Sequence, residues 1–562
     1  MRGRYSYMKA HHNPASATLH GPPPSVSKRK YQIDALFHQG ARLHGVGRLA
    51  EAEQVYRQVL SIESRHADTL HMLGVLALQA GHPAAAADLI GQAIAVRPSE
   101  PMYYVNRAHA RLALGQAEVA AADGRAAVQA RRNCAEGYQV LGHALVDLGR
   151  ADEALGAYQT ARQRKTGLPG IENDLGLALC EANRLTEAVG HLEAAVRQTP
   201  GDPQPRNNLA GVLRELGRLD DAEAIYRQAI RLTPEDPALH VNLAIALLLA
   251  GRLREGWAEW EWRWQARPEM ALGFDQPRWE GEPLNGRTLL IHAEQGLGSN
   301  IQFCRYVNLI PPEGRVVLAV QPALVRLMTG LGDGITVAAI GDTLPKIDLR
   351  CPMLSLPRVL GTNAVADIPA NIPYLRTDPA AVARWQRRAA TLPGLRVGLV
   401  WAGNPEDARM DRRRSMPPAA LTPLADLPGV SLVSLQVARA ATALPESSLG
   451  EAVHDWTAEL SDFVETAALI EALDLVISAD TAAVHLAGAL GKPVWLLNRF
   501  DTCWRWLLGR DDSPWYPTLR QFRQTAPGRW DEVVARVRIA LADQAERRGR
   551  TSAVAMETGA KA

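Results

Sequence analysis

Residues 474–498, DLVISADTAAVHLAGALGKPVWLLN, switch from a strand pattern to a helix pattern and back. The apolar run Leu475, Val476, Ile477 has the length and bounds of a buried parallel strand. Asp480 and Thr481 follow where that strand ends and a helix begins, and threonine is a favourable N-cap. His485 stands four residues after Thr481, so the hydroxyl and the imidazole share one helix face. Ala482, Ala483, Ala487, Gly488 and Ala489 are small enough for the helix to lie close on a sheet, and Gly491 and Pro493 stop it. The unit opens a helix N-terminus at the carboxyl end of a strand. Ligands bind there in open α/β sheets, and free N–H groups suit an anion such as a phosphate.

On either side of this unit the strand signals continue. Residues 397–401 and 430–436 read as further buried strands, with Ala402, Gly403 and Asn404 turning the chain after the first. Ser461 is the expected cap of an amphipathic helix reaching Leu473, Trp504 to Leu508 a short helix, and 530–547 a closing helix. Upstream, residues 288–307 give a strand, a turn carrying Gly296 and Gly298, and a helix. Residues 315–321, 336–340 and 348–356 add strands. These patterns predict two Rossmann-like halves, 287–378 and 395–547, joined by a crossover at 379–394 and entered through a connector at 265–286.

Residues 31–264 have a different grammar, a period of 34 that never slips through seven repeats. The eighth position carries Gly40, Gly74, Ala108, Gly142, Gly176, Ala210 and Ala244. The fifteenth carries Gly47, Gly81, Gly115, Gly149, Asn183, Gly217 and Gly251, and the twentieth is alanine until Gly256. Small residues at eight and twenty let two antiparallel helices touch, and glycine at fifteen supports the turn between them. This is the tetratricopeptide pattern, which predicts an α-solenoid whose concave face takes a protein or peptide. Asn207, Asn208 and Asn242 are candidates to hydrogen-bond such a ligand. Trp257, Trp260 and Trp264, at i, i+3 and i+7, are expected to dock the last repeat onto the next domain. Residues 1–30 and 548–562 are expected to be disordered.

Composition narrows the function. A formal charge of +2 gives no argument for a nucleic-acid partner. Five scattered cysteines without metal-ligand spacing fit free thiols in a reducing compartment. No signal peptide is evident, and the longest apolar run, 243–250, is too short to span a bilayer, so a cytoplasmic protein without a transmembrane segment is expected.

The string Asp-Thr-x-x-x-His-x-Ala-x-Ala-Leu-Gly-x-Pro-Val from Asp480 resembles the donor-binding signature of heptosyltransferase-type glycosyltransferases. The whole chain resembles bacterial proteins that fuse tetratricopeptide repeats to such a domain. VGLVWAGNP (397–405), RRRSMP (412–417) and WRWLLGRDDSPWYP (504–517) extend the likeness. It implies a GT-B fold of two Rossmann-like halves and hexosyl or heptosyl transfer, with inversion, from a nucleotide-diphosphate sugar to an acceptor presented with help from the repeats. Asp480, Thr481 and His485 would hold the donor together with Asn404, and Arg414 falls where the family places a phosphate-contacting basic residue. Without an Asp-x-Asp motif, no metal and no further cofactor is expected, and the diphosphate would rest on helix N–H groups and cationic side chains. Arg505 is a further cationic candidate.

The family's proposed base is the Asp of a Gly-Asp pair in the first glycine turn, where this chain has Gly298-Ser299. Ser299 and the nearest carboxylate, Glu294, are therefore the catalytic candidates, with His292 and Asp275 more remote. A serine cannot deprotonate an acceptor near neutral pH without an activating group. The alternative reading is a repeat-based interaction scaffold with a catalytically degenerate transferase domain.

Overall fold

The computed structural model describes residues 28–268, 273–403, 411, 413–437 and 448–559. Contacts divide the chain into two compact units that meet between Val212 and Leu213.

The first unit is made of helical hairpins, beginning with Lys28–Gly45 and Leu49–Ile62, then Ala67–Gln79 and Pro83–Val96. The 34-residue pattern acts through steric fit. A Cβ on Gly40 would lie 2.6 Å from the Tyr56 ring, on Gly74 2.4 Å from Ile90, and on Gly142 2.3 Å from Tyr158. Each large residue therefore packs directly against the backbone of its partner helix. The fifteenth position closes each first helix in the left-handed region, with φ of 81° at Gly81 and 59° at Asn183. At Gly81 the bonds Gly81 N–H to Leu78 O and His82 N–H to Ala77 O form a Schellman cap. Asn183 makes the same pair of bonds, to Cys180 and through Arg184 to Leu179, because asparagine tolerates this conformation better than other residues with a side chain.

The second unit begins within the helix Pro203–Glu215 and includes the hairpin Pro237–Leu249 and Leu253–Trp260. Trp257 meets Trp504 edge-on at 5.4 Å and Phe303 at 6.2 Å, and Trp260 lies 6.4 Å from Trp504. This pair docks the last hairpin on the α/β region. The helix ends at Trp260, so Trp264 falls in the short helix Arg263–Ala266, 6.1 Å from His292. The second compact unit thus takes in the last repeats together with the α/β region.

Two wholly parallel sheets make up that region. The first orders its strands β3-β2-β1-β4, from β1 (Thr288–His292), β2 (Arg315–Val320), β3 (Ile335–Ala339) and β4 (Leu349–Pro352). The second runs β10-β9-β8-β5-β6-β7, from β5 (Leu395–Val400), β6 (Val430–Ser434), β7 (Val453–Asp455), β8 (Leu475–Ala479), β9 (Val494–Asn498) and β10 (Leu519–Arg523). Every residue of β8 and β9 is buried, which is why these strands read as unbroken apolar runs. The edge strands β7 and β10 were not legible in advance, because one has three residues and the other carries two arginines.

Local details add to or differ from the expectations. Asp462, not Ser461, caps the helix Phe463–Ala472, its carboxylate accepting from both Val464 N and Glu465 N at 2.9 Å, because the helix starts one residue later than expected. The crossover contains the helix Pro379–Ala389, whose Trp385 Nε1 donates to Glu465 at 2.9 Å. The closing helix Trp530–Gly559 runs past residue 547 into the expected disordered tail, and Lys28 to Lys30 of the expected N-terminal tail are helical. No described helix is long and apolar enough to cross a membrane.

Candidate functional site

The site forms where two helix N-termini meet. Thr481 caps the helix Ala482–Ala489 with extended backbone (φ −137°, ψ 177°), its Oγ1 accepting from Ala483 N at 3.3 Å. Ser478, the fourth residue of β8, lies beneath it, with Oγ 3.2 Å from Thr481 Oγ1. Opposite stands the helix Leu297–Phe303, which begins after Gly296. A Cβ on Gly298 would lie 2.9 Å from His485 Cδ2 and 3.2 Å from Ala482 Cα. Glycine at 298 is thus what allows the glycine turn of the first sheet to touch the helix Ala482–Ala489 of the second.

Arg505 completes this junction. Nη2 donates to Ser299 Oγ at 2.9 Å, Nε to Gln302 Oε1 at 2.7 Å and Nη1 to Cys503 Sγ at 3.3 Å, while the guanidinium lies 4.3 Å from the centre of the Trp504 ring. The residue is 9% exposed. Among the described residues it has no carboxylate partner. A buried cation held by neutral groups beside two helix N-termini leaves positive potential unbalanced, and such potential favours an anion.

His485 is the most constrained member. Its ring stacks on Trp506 (5.3 Å, 13°) and Nδ1 lies 3.0 Å from Tyr516 Oη. Burial, reinforced by Arg505 and Arg305, holds its basicity well below the usual histidine range, so the ring is neutral near pH 7. The ring joins a chain of polar contacts to Arg305 and the two tyrosines. Arg305 Nη2 donates to Tyr374 Oη at 2.9 Å and the Tyr374 hydroxyl donates to Ile301 O at 3.0 Å. The Tyr516 hydroxyl lies 3.0 Å from His485 Nδ1 and 3.4 Å from Tyr374 Oη.

Arg414 lies on the neighbouring strand end. Val400 of β5 pairs with Ser478 of β8, so the turns after these strands open side by side. The Arg414 guanidinium covers Gly403 so closely that a Cβ there would fall 2.2 Å from Nε. Arg413 Nη1 donates to Glu215 at 2.8 Å and to Asp501 at 2.9 Å, tying this loop to the end of helix Pro203–Glu215. Asn404 lies outside the described residues. Asp480 is partly exposed at the mouth of the β8 turn.

Glu294 faces elsewhere. Its carboxylate takes a bidentate contact from Arg263, at 2.7 and 2.9 Å, and a third bond from Leu354 N at 3.0 Å, with a side chain 1% exposed. Arg263 continues to Ser355 Oγ and Glu261 at 2.8 and 3.0 Å. Burial raises the Glu261 carboxyl, but Arg263 and Arg278 outweigh it and hold the group below its ordinary range. Glu294 therefore belongs to a buried ion-pair network between the last hairpin and the first sheet, and is not turned toward Ser299. His292 is buried on β1 between Trp264 and Phe274. In the repeats, Asn208 is engaged by Asn173 Oδ1 and Gln204 Nε2 at 2.8 and 3.2 Å.

The structure thus brings Ser299, Thr481 and His485 together, places Arg414 on the adjacent strand end, and separates Glu294 from them. Tyr516 and Ser478 were missed from the sequence. Tyr516 lay inside the quoted 504–517 string, but its contact with Gly488, where a Cβ would sit 2.4 Å from the ring, joins segments far apart in the chain.

Comparisons with known proteins agree on the repeats. Tetratricopeptide-repeat family models match residues 43–112, 179–240 and 213–256, and a second such model matches 140–203. Protein FlbA of Caulobacter vibrioides is 32% identical over 331 residues, covering 51% of this chain. The chain spans about half the length of that relative, 52%. Among solved structures, a thermophilic tetratricopeptide protein from Thermus thermophilus is 27% identical with a TM-score of 0.30, covering 32% of this chain and 99% of its own. The YrrB repeat protein is 18% identical with a TM-score of 0.27, covering 33% of this chain and 94% of its own. The chain therefore carries a tetratricopeptide-repeat region followed by an α/β region of parallel sheets.

Proposed function

We propose that the α/β region is a GT-B glycosyltransferase domain that binds a nucleotide-diphosphate sugar without a metal and transfers the sugar to an acceptor. The repeats suggest a protein-interaction scaffold, and we infer that they engage the acceptor or its carrier. The observation that carries the donor reading is Arg505, buried without a carboxylate where the helices Leu297–Phe303 and Ala482–Ala489 begin. A diphosphate at this junction would meet Arg505, the N–H groups of the first turn after Thr481 and the His485 ring edge beside Gly298. The first two are donors aimed at the charge that grows on the leaving group as the glycosidic bond breaks. Arg414 is the second cation on the same sheet edge, and Asn404 and Asp480 stay with the donor as candidates.

A second reading, donor binding without transfer, is favoured by one specific observation: neither catalytic candidate is free to act as a base. The Ser299 hydroxyl accepts from Arg505 and the Glu294 carboxylate is closed by Arg263. Both readings are tested with a panel of nucleotide-diphosphate sugars. Thermal stabilisation by one of them, abolished in Arg505→Gln and in Thr481→Ala, supports the donor site, and a ligand at a hundred times Kd should add about 2.7 kcal/mol. Stabilisation that survives Arg505→Gln refutes it. Sugar transfer persisting in EDTA separates the enzyme from the degenerate scaffold.

A further inference from the structure

The repeats carry a groove of about 460 Å³ that neither the spacing of the repeats nor the donor site explains. It is lined by the second helix Ala117–Ala130, by Tyr138 and Leu141 of the following first helix Ala135–Asp147, and by Arg164 at the end of the second helix Ala151–Arg164. Its floor follows from a small residue. A Cβ on Gly124 would lie 2.9 Å from Leu141 Cα, so these helices meet backbone to backbone and leave Leu141, Val128 and Tyr138 half-exposed at the bottom. Its walls carry Arg125, Arg132 and Arg164, all exposed.

What distinguishes these arginines is the state of their neighbours. Arg131 reaches Glu100 at 4.0 Å, Arg162 reaches Glu172 at 3.5 Å and Lys165 reaches Glu136 at 2.7 Å. Asp123, on the same helix as Arg125, is already held by Arg107 and Arg111 at 2.6 and 2.7 Å. Glu153, the carboxylate that Arg125 influences, is bound to Arg150 at 2.6 Å. Among the described residues, the side chains of Arg125, Arg132 and Arg164 have no ion pair or hydrogen bond. The local carboxylates are spent on other cations, and three guanidinium groups converge around an apolar floor.

We propose that this groove binds an acidic peptide segment of a partner protein, with a bulky apolar side chain on Leu141, Val128 and Tyr138 and flanking carboxylates on Arg125, Arg132 and Arg164. Arginine suits this role because its planar fork binds carboxylates bidentately and gives up little hydration. The volume is in the range of small-ligand sites, enough for a few residues. A nucleic acid fits less well. Tyr138 is the one aromatic side chain in the lining, so successive bases would find no run of stacking platforms there. The proposal is independent of the transferase reading, since every residue in it belongs to the first compact unit.

The test is a peptide-display selection on the full chain, repeated on the Arg125→Glu/Arg132→Glu/Arg164→Glu variant and on the milder Arg125→Gln/Arg132→Gln/Arg164→Gln variant, each checked for unchanged helical circular dichroism. The expected result is enrichment of peptides with two or more Asp or Glu residues beside Leu, Phe or Tyr. A selected, fluorescein-labelled peptide should bind at least about tenfold more weakly to either variant and more weakly as salt rises from roughly 50 to 300 mM. Should the charge-reversed chain fail to fold, the neutral variant decides. Absence of any arginine-dependent peptide overturns the proposal. So does tighter arginine-dependent binding of a single-stranded oligonucleotide, which would make the groove a nucleic-acid site.

Discussion

Replacing Glu294 by glutamine separates a structural role from a catalytic one, because the two make opposite statements about stability. The variant keeps the shape of the side chain and removes its charge. In the wild type that charge neutralises Arg263 through two bonds of 2.7 and 2.9 Å, in a pair exposed by only 4% and 1%. Removing one partner of a buried ion pair costs about 3–5 kcal/mol, because the other is left charged and desolvated. Glu261 still holds Arg263 at 3.0 Å, which places the loss at the lower end, about 3 kcal/mol. For the unit Leu213–Ala562 that is roughly 4 °C in the unfolding midpoint. Differential scanning fluorimetry and urea titration of Glu294→Gln, Arg263→Gln and the double variant give the coupling between them. The double variant should be less destabilised than the sum of the singles by at least about 1 kcal/mol. A midpoint unchanged in Glu294→Gln, together with loss of sugar transfer, would refute this reasoning and return Glu294 to the role of base.

The same geometry sets other outcomes. Asp474 is raised by burial but overcome by bonds from Arg396 and Arg548, which lower its carboxyl to about 2. Its folded value lies below the unfolded one, so it contributes stability above about pH 4 that is lost as pH falls toward about 2. Asp474→Asn should accordingly cost about 2 kcal/mol at about pH 7 in urea unfolding and nothing near pH 2. Gly298→Ala forces a methyl against His485 and Ala482; it should cost about 1–3 kcal/mol and weaken nucleotide-sugar stabilisation, whereas Gly296→Ala, with open space around it, should not clash. A fragment of residues 28–265 uncovers Trp257 and Trp260 and should self-associate on size exclusion, while residues 28–200 should stay helical and monomeric.

Whatever depends on neighbours along the chain is written in the order of its amino acids. The 34-residue period placed the hairpins because each repeat contacts only the next, so Gly40 meets Tyr56 and Asn183 closes a helix by rules that act within one repeat. The strand-to-helix turn at Thr481 was equally legible, since a cap and its helix are local. Pairings between distant segments were set only when the chain folded. Glu294 went to Arg263, 31 residues earlier, and Ser299 to Arg505, 206 residues later. Folding also cut the solenoid at Val212, because buried tryptophans bind the last repeats to the α/β region more firmly than the repeat pattern can reveal. Periodicity records which face of an element is buried; it carries no record of which other element covers that face, and ionic partners are chosen only when the faces meet.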